Sequence, residues 1–182
     1  MKKRTSKEIF ASSLLALART EAVERITVKQ IVEKSGLSLQ TFYNHFHDKD
    51  DLILWIHRSE GERMLARLKG ENYRFHDLVM DNVRFYTENA NYLRDSMGGG
   101  SLSRFALATA ESACASLGTY ILRRSGMAEL PEELAVYLKM YIFACLHLFA
   151  ERAAGSLVVS DERLAQYIED GMPEKLKPLL LD

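Results

Sequence analysis

The stretch Thr27-Val28-Lys29-Gln30-Ile31-Val32-Glu33-Lys34-Ser35-Gly36-Leu37-Ser38-Leu39-Gln40-Thr41-Phe42-Tyr43-Asn44-His45-Phe46 decides the fold. Thr27 is a helix-capping type, and Val28, Ile31 and Val32 behind it recur on one face, so a short helix runs to about Lys34. Gly36 can leave a helix in the left-handed conformation, which makes Ser35-Gly36-Leu37 a tight turn. Ser38 then caps a second short helix, Leu39 to Phe46, with Phe42 and Phe46 turned inward. Upstream, Ser6 caps a helix reaching about Arg19, and Phe10, Leu14, Leu17 and Ala18 form its buried stripe. Three short helices with a tight turn before the last are the grammar of a helix-turn-helix.

Downstream the helices lengthen. Asp48 caps one from Lys49 to about Lys69, and others are expected over Phe75 to Asn89 and Asn91 to Met97. Gly98-Gly99-Gly100 follows; without a preceding strand or a Lys-Ser/Thr pair it reads as a joint in preference to a phosphate loop. Further helices are expected from Ser101 to Arg124, from Pro131 to about Ala154 and from Ser160 to Asp170, with a turn near Glu174 to Leu180. The expected architecture is all-α. A three-helix helix-turn-helix domain at residues 1–47 precedes a helical sensing and dimerisation domain at 48–182.

With 47 % apolar and 27 % charged residues and only three Pro in 182, the composition is that of a globular, mainly helical chain. The net charge of −1 excludes a polybasic coat but not a local basic face. Residues 1–57 hold nine Lys/Arg against seven Asp/Glu, a net +2, and the remainder is −3. The opening Met1-Lys2-Lys3-Arg4 with the apolar run Ile9 to Ala18 has the outline of a secretory signal; Lys7, Glu8 and Ser12-Ser13 interrupt it, and the helical stripe explains it better. No stretch approaches an unbroken membrane span, so a cytoplasmic protein without membrane association is expected. Cys114 and Cys145 lack metal-ligand spacing and read as core residues of a reducing compartment, a disulfide being the alternative.

The chemistry concentrates on the helix after Ser38. Ser38, Gln40, Thr41, Tyr43 and Asn44 are left to the outside, and Leu39 and His45 join them as candidate DNA contacts. Hydroxyls and a carboxamide at a helix N-terminus suit major-groove readout: Gln pairs with adenine at two points, and Thr meets a thymine methyl. Tyr43 and His45 have polar tips in reach of a phosphate backbone, and Lys49 adds a charge. Lys3 and Arg4, beside Lys2 and Lys7, form a basic arm that either neutralises phosphates or is a solvated tail.

Thr27 to Val32, Gly36-Leu37-Ser38, Thr41-Phe42-Tyr43-Asn44-His45-Phe46, Lys49 and Leu52 together resemble the DNA-binding domain of the TetR family, over roughly residues 5 to 55. The resemblance implies a homodimeric bacterial transcription regulator, a repressor released by a small-molecule or protein signal, bound to double-stranded DNA at a palindromic operator. It implies that Thr27 contacts phosphate, Gln40 and Thr41 read bases, and Tyr43, His45 and Lys49 touch the backbone. Val32 and Ser35 stand where the family commonly has alanine, implying a slightly wider helix contact. Thr41 to His57, including Leu52-Ile53-Leu54-Trp55-Ile56, also resembles a subgroup of dihydroxyacetone-kinase operon regulators, some of which answer to a protein partner.

The helix from Pro131 carries two apolar stripes: Leu134, Leu138, Tyr141, Cys145 and Leu148, and Val136, Met140, Phe143, His147, Ala150 and Ala154. A helix apolar on two faces is covered twice, by its own subunit and by a second copy, or lies deep in a monomer. The expected dimer surface is Leu138, Tyr141, Cys145, Leu148, Leu164, Tyr167 and Ile168. A sensing pocket is expected among Phe75, Val79, Phe85, Tyr86, Phe105, Tyr141 and Phe143, with Glu111, Cys114 and His147 as polar handles, although an aromatic stripe at helical spacing is more often plain core than pocket. Mid-helix Gly61 is a flexible point or a site of close packing. No nucleophile elbow, metal-ligand pair or phosphate loop is present, so neither catalysis nor a cofactor or metal is expected. A helical protein-interaction module is the rival reading.

Overall fold

The structure is a computed structural model that describes residues 4–68, 73–97 and 104–181. Among these every regular element is a helix: α1 (Ser6–Ala18), α2 (Val28–Ser35), α3 (Leu39–Tyr43), α4 (Lys49–Arg67), α5 (Phe75–Glu88), α6 (Ala90–Met97), α7 (Arg104–Ser125), α8 (Glu132–Ala154), α9 (Asp161–Asp170) and α10 (Lys177–Leu180). Local chemistry sets most of the boundaries. The side chains of Thr27, Ser38, Asp48 and Ser160 each accept a backbone N–H of the helix they open. Gly36 and Gly155 close α2 and α8 at φ of 68° and 80°, values an L side chain resists.

Three expectations need correction. Thr5, and not Ser6, caps α1, through a reciprocal box with Glu8. Helix α3 stops at Tyr43 and does not reach Phe46; His45 and Phe46 both donate to the Phe42 carbonyl, and this tight turn tucks the Phe46 ring under the helix. Helix α8 begins after Pro131, not at it. The glycine triplet and Ser101 lie outside the described residues.

Two apolar cores result, and α4 serves both. Phe10, Leu14, Ile26, Ile31, Phe42 and Phe46 close the N-terminal core together with Leu52, Ile53 and Ile56 of α4. Phe10 meets Phe42 edge-on at 5.2 Å, and Phe42 lies 5.6 Å from Phe46. Losing one of these rings would cost about 3–5 kcal/mol. Farther along α4, Met64 and Leu68 enter the second core with Phe75, Val83, Ile121, Leu138 and Leu164. The boundary expected at residue 47 therefore falls at the start of a helix whose first half packs with the domain before it.

Both ends of α4 are fastened. At its start the Lys49 ammonium donates to the carbonyls of Val23, Glu24 and Ile26 at 2.5, 3.1 and 2.8 Å. At its end Arg67 pairs with Asp81 of α5, and its guanidinium lies 4.1 Å from the Tyr73 ring. The Tyr73 hydroxyl donates to the same Asp81 carboxylate at 2.8 Å.

Candidate nucleic-acid interface and sensing cavity

The exposed side of α3 is built from the turn upward. Ser35 Oγ donates to the Val32 carbonyl and accepts the Leu37 N–H, so the residue found in place of alanine ties the turn. Ser38 Oγ caps the Thr41 N–H at 3.0 Å, and the two hydroxyls lie 2.8 Å apart. One turn on, Gln40 Nε2 donates to Asn44 Oδ1 at 2.9 Å, which aligns the two carboxamides along one edge. Leu39 and Tyr43 are 49 % and 54 % exposed, and His45 is exposed beside them. With Phe42 fully buried beneath, α3 stands on a rigid base and offers Ser38, Leu39, Gln40, Thr41, Tyr43, Asn44 and His45 on one side. Such a set supplies hydrogen-bond donors, acceptors and apolar edges to a groove.

Other residues expected at this surface fare differently. Thr27 is exposed, yet its hydroxyl is engaged in the cap with Gln30, which also donates to Glu21. Arg4 is exposed at the head of α1, and Lys3 lies outside the described residues. Lys49 is the correction. Three carbonyls occupy its three donors, and the desolvation that accompanies this placement lowers its pKa, with Glu24 and Glu21 opposing. In this conformation Lys49 ties the turn between α1 and α2 to α4 and leaves no donor for a phosphate.

A cavity of about 110 Å³ lies between α4, α5, α7 and α8. Phe75, Val79, Phe85, Tyr86 and Tyr141 line it as expected. The two remaining expected wall residues and the three expected polar handles do not. Glu111 is exposed, His147 has a 72 % exposed side chain facing Glu151 at 3.8 Å, and Phe105 packs toward the N-terminal core. Cys114 and Phe143 are half-buried in the second core away from the cavity. Helix geometry explains this: the face of α7 that meets the cavity carries Thr109, Ser112 and Ser116, and residue 111 points elsewhere.

Sequence reasoning missed His57, which lies on the same α4 stripe as Ile53, Glu60 and Met64 and lines the cavity. It stacks on Tyr92 with ring centres 5.3 Å apart, and burial drives its pKa down to about 4. Its spacing from Ile53 and Met64 was the available signal. Cys145 lines the cavity and Cys114 does not; both are free, and burial pushes the Cys145 thiol up to about 12.

The expected dimer surface is also corrected. Leu138, Tyr141, Leu164 and Ile168 are buried within the chain, and the Tyr141 hydroxyl donates to the Ile168 carbonyl at 2.9 Å. Cys145 and Leu148 pack half-buried against the same core. It is the other stripe of α8 that faces outward, with Val136 and Met140 52 % and 62 % exposed, and on α9 only Tyr167 of the expected set is exposed, at 47 %. Among the described residues no group of three His, Cys, Asp or Glu could hold a metal ion.

The fold is thus a helix-turn-helix on a rigid aromatic base, joined through α4 and α6 to a cavity-bearing helical bundle. Residues 14–56 match the family of bacterial regulatory proteins described as the tetR family. The chain is 28 % identical over 81 residues to the HTH-type dhaKLM operon transcriptional activator DhaS of Lactococcus lactis subsp. lactis (strain IL1403). That match takes in 44 % of this chain and 36 % of the relative, so the chain matches about a third of that relative's length. Among solved structures, the dihydroxyacetone kinase operon activator DhaS superposes with a TM-score of 0.67 at 18 % identity, over 97 % of this chain and 98 % of that one. A TetR transcriptional regulator from Rhodococcus sp. RHA1 gives 0.65 at 14 % identity, over 90 % and 91 %. At such identities these likenesses speak for the fold.

Proposed function

We propose that the chain is a sequence-specific DNA-binding transcriptional regulator that acts as a homodimer and answers to a signal received by its C-terminal helices. The observation that carries the reading is the exposed edge of α3, where Ser38, Gln40, Thr41 and Asn44 are held in register by their own hydrogen bonds. Gln40 and Thr41 read bases; Tyr43, His45 and the Ser38 end of the helix meet the backbone. Residues 1–47 form the DNA-binding part and 48–182 the sensing and dimerisation part, with α4 passing movement between them. The outward stripe of α8, Val136 and Met140 foremost, is the surface a second copy covers. Two copies then place two α3 helices on half-sites about one turn of DNA apart, which is why the operator is a palindrome.

The signal releases the protein from DNA, as in a repressor. A second reading, activation, is favoured by the likeness to DhaS, which is a transcriptional activator. The test is recovery of genomic fragments bound by the full chain, followed by a reporter driven from the recovered site. Recovered palindromes support DNA recognition, and enrichment of no common sequence contradicts it. Reporter output that rises when the regulator is deleted marks a repressor, and output that falls marks an activator.

A further inference from the structure

Nothing in the DNA-contact geometry uses His57. Only 5 % of it is exposed, it lines the cavity, and neither of its ring nitrogens has a hydrogen-bond partner. A neutral imidazole has one N–H to give and one lone pair to share, and burying both unmet is unfavourable. The other lining residues restrict what can meet them. Phe75, Val79, Leu146 and Phe149 make the wall apolar. Among the described residues no Lys or Arg lines it, and the two carboxylates there, Glu60 and Glu62, add only negative charge, Glu60 being paired with Arg63. An anion entering here would lose its water and find no cation.

We propose that this cavity takes an uncharged, largely apolar small molecule whose single hydroxyl pairs with His57, an alkylphenol or an alcohol of similar shape. Anionic molecules of the same outline are rejected. The inference rests on the reading of the C-terminal helices as the sensing part, and it names the class of compound sensed. It also places the hydroxyl where it matters. His57 stacks on Tyr92, whose own hydroxyl donates to the Ile53 carbonyl at 3.2 Å, so the bound group sits one side chain from the N-terminal core.

The experiment is calorimetric titration of the full chain, without DNA at neutral pH, with 4-ethylphenol, 4-ethyltoluene and 4-ethylbenzoate. The phenol binds at least about tenfold more tightly than the benzoate. In His57→Phe, checked for folding by circular dichroism, phenol binding weakens about tenfold while toluene binding is kept. His57→Gln, which retains a donor and an acceptor, restores the preference for phenol over toluene. The His57 ring-nitrogen resonances of the unaltered protein shift with phenol and not with toluene, which keeps the test sound even if a variant misfolds. Tighter binding of the benzoate, equal effects of His57→Phe on phenol and toluene, unmoved nitrogen resonances, or no phenol binding to the folded chain overturns the proposal. Because no DNA is present, failure here is separate from failure of the DNA-binding reading, which fragment recovery tests without any probe.

Discussion

Lys49, Gln40 and His57 each owe their role to immediate neighbours. Because three carbonyls receive the Lys49 ammonium, Lys49→Met is expected to lower unfolding stability by about 1–3 kcal/mol, measured in urea. Unchanged stability with a flattened salt dependence of DNA binding would restore it to the phosphate-contacting role. Gln40 has its carboxamide aligned by Asn44, so Gln40→Ala should reduce discrimination between the recovered site and single-base variants by about 1–3 kcal/mol. An equal loss on all duplexes would show that Gln40 does not read bases. The pH dependence of stability follows from His57. Its pKa is about 4 when folded, against 6.5 for an ordinary imidazole, because burial disfavours the charged ring beside Tyr92. Below pH 6.5 the unfolded chain binds a proton that the folded chain refuses, so the stability contributed by the neutral ring is lost as pH falls toward 4. Unfolding free energies at pH 7 and pH 5 should therefore differ by about 2 kcal/mol more in the unaltered protein than in His57→Phe. The same difference in both would mean that His57 is not buried neutral.

Helix α4 is the element on which both halves depend, fastened by Lys49 at one end and by Arg67 at the other. Gly61 lies between them, and a Cβ added there meets nothing within 4 Å, so close packing is not the reason for the glycine. Gly61→Ala should raise stability by about 0.5–1 kcal/mol through helix propensity, read as a higher thermal midpoint. A lower midpoint would mean that the methyl does clash. How far the elements could be read in advance follows from the range of the forces that set them. The caps at Thr27, Ser38, Asp48 and Ser160 and the left-handed Gly36 act over three or four residues, so they were legible in the chain. The face that α8 turns inward was not, since both of its stripes are apolar and tertiary packing chooses between them. The cavity wall from α7 was equally hidden, because Thr109, Ser112 and Ser116 carry no hydropathy signal. The exposed α3 residues were legible because Phe42 fixes which side of a five-residue helix is buried.

At the scale of the whole molecule, α4 and α6 each feed both cores, and in the proposed dimer a second copy covers the outward stripe of α8. A charge on that surface, as in Met140→Glu, should leave a folded monomer by light scattering and remove tight binding to a palindromic site, since a monomer reaches one half-site only. A dimer that survives this change would move the interface elsewhere. The central claim, that the α3 edge reads a DNA sequence, is tested most directly by one titration. The full chain is bound to a recovered palindrome and to a scrambled duplex of the same composition between about 50 and 200 mM salt. Affinity for both duplexes should fall linearly on logarithmic axes as salt rises, with the palindrome bound about a thousandfold or more tighter throughout. Equal affinity for the two duplexes, or affinity indifferent to salt, would contradict the account.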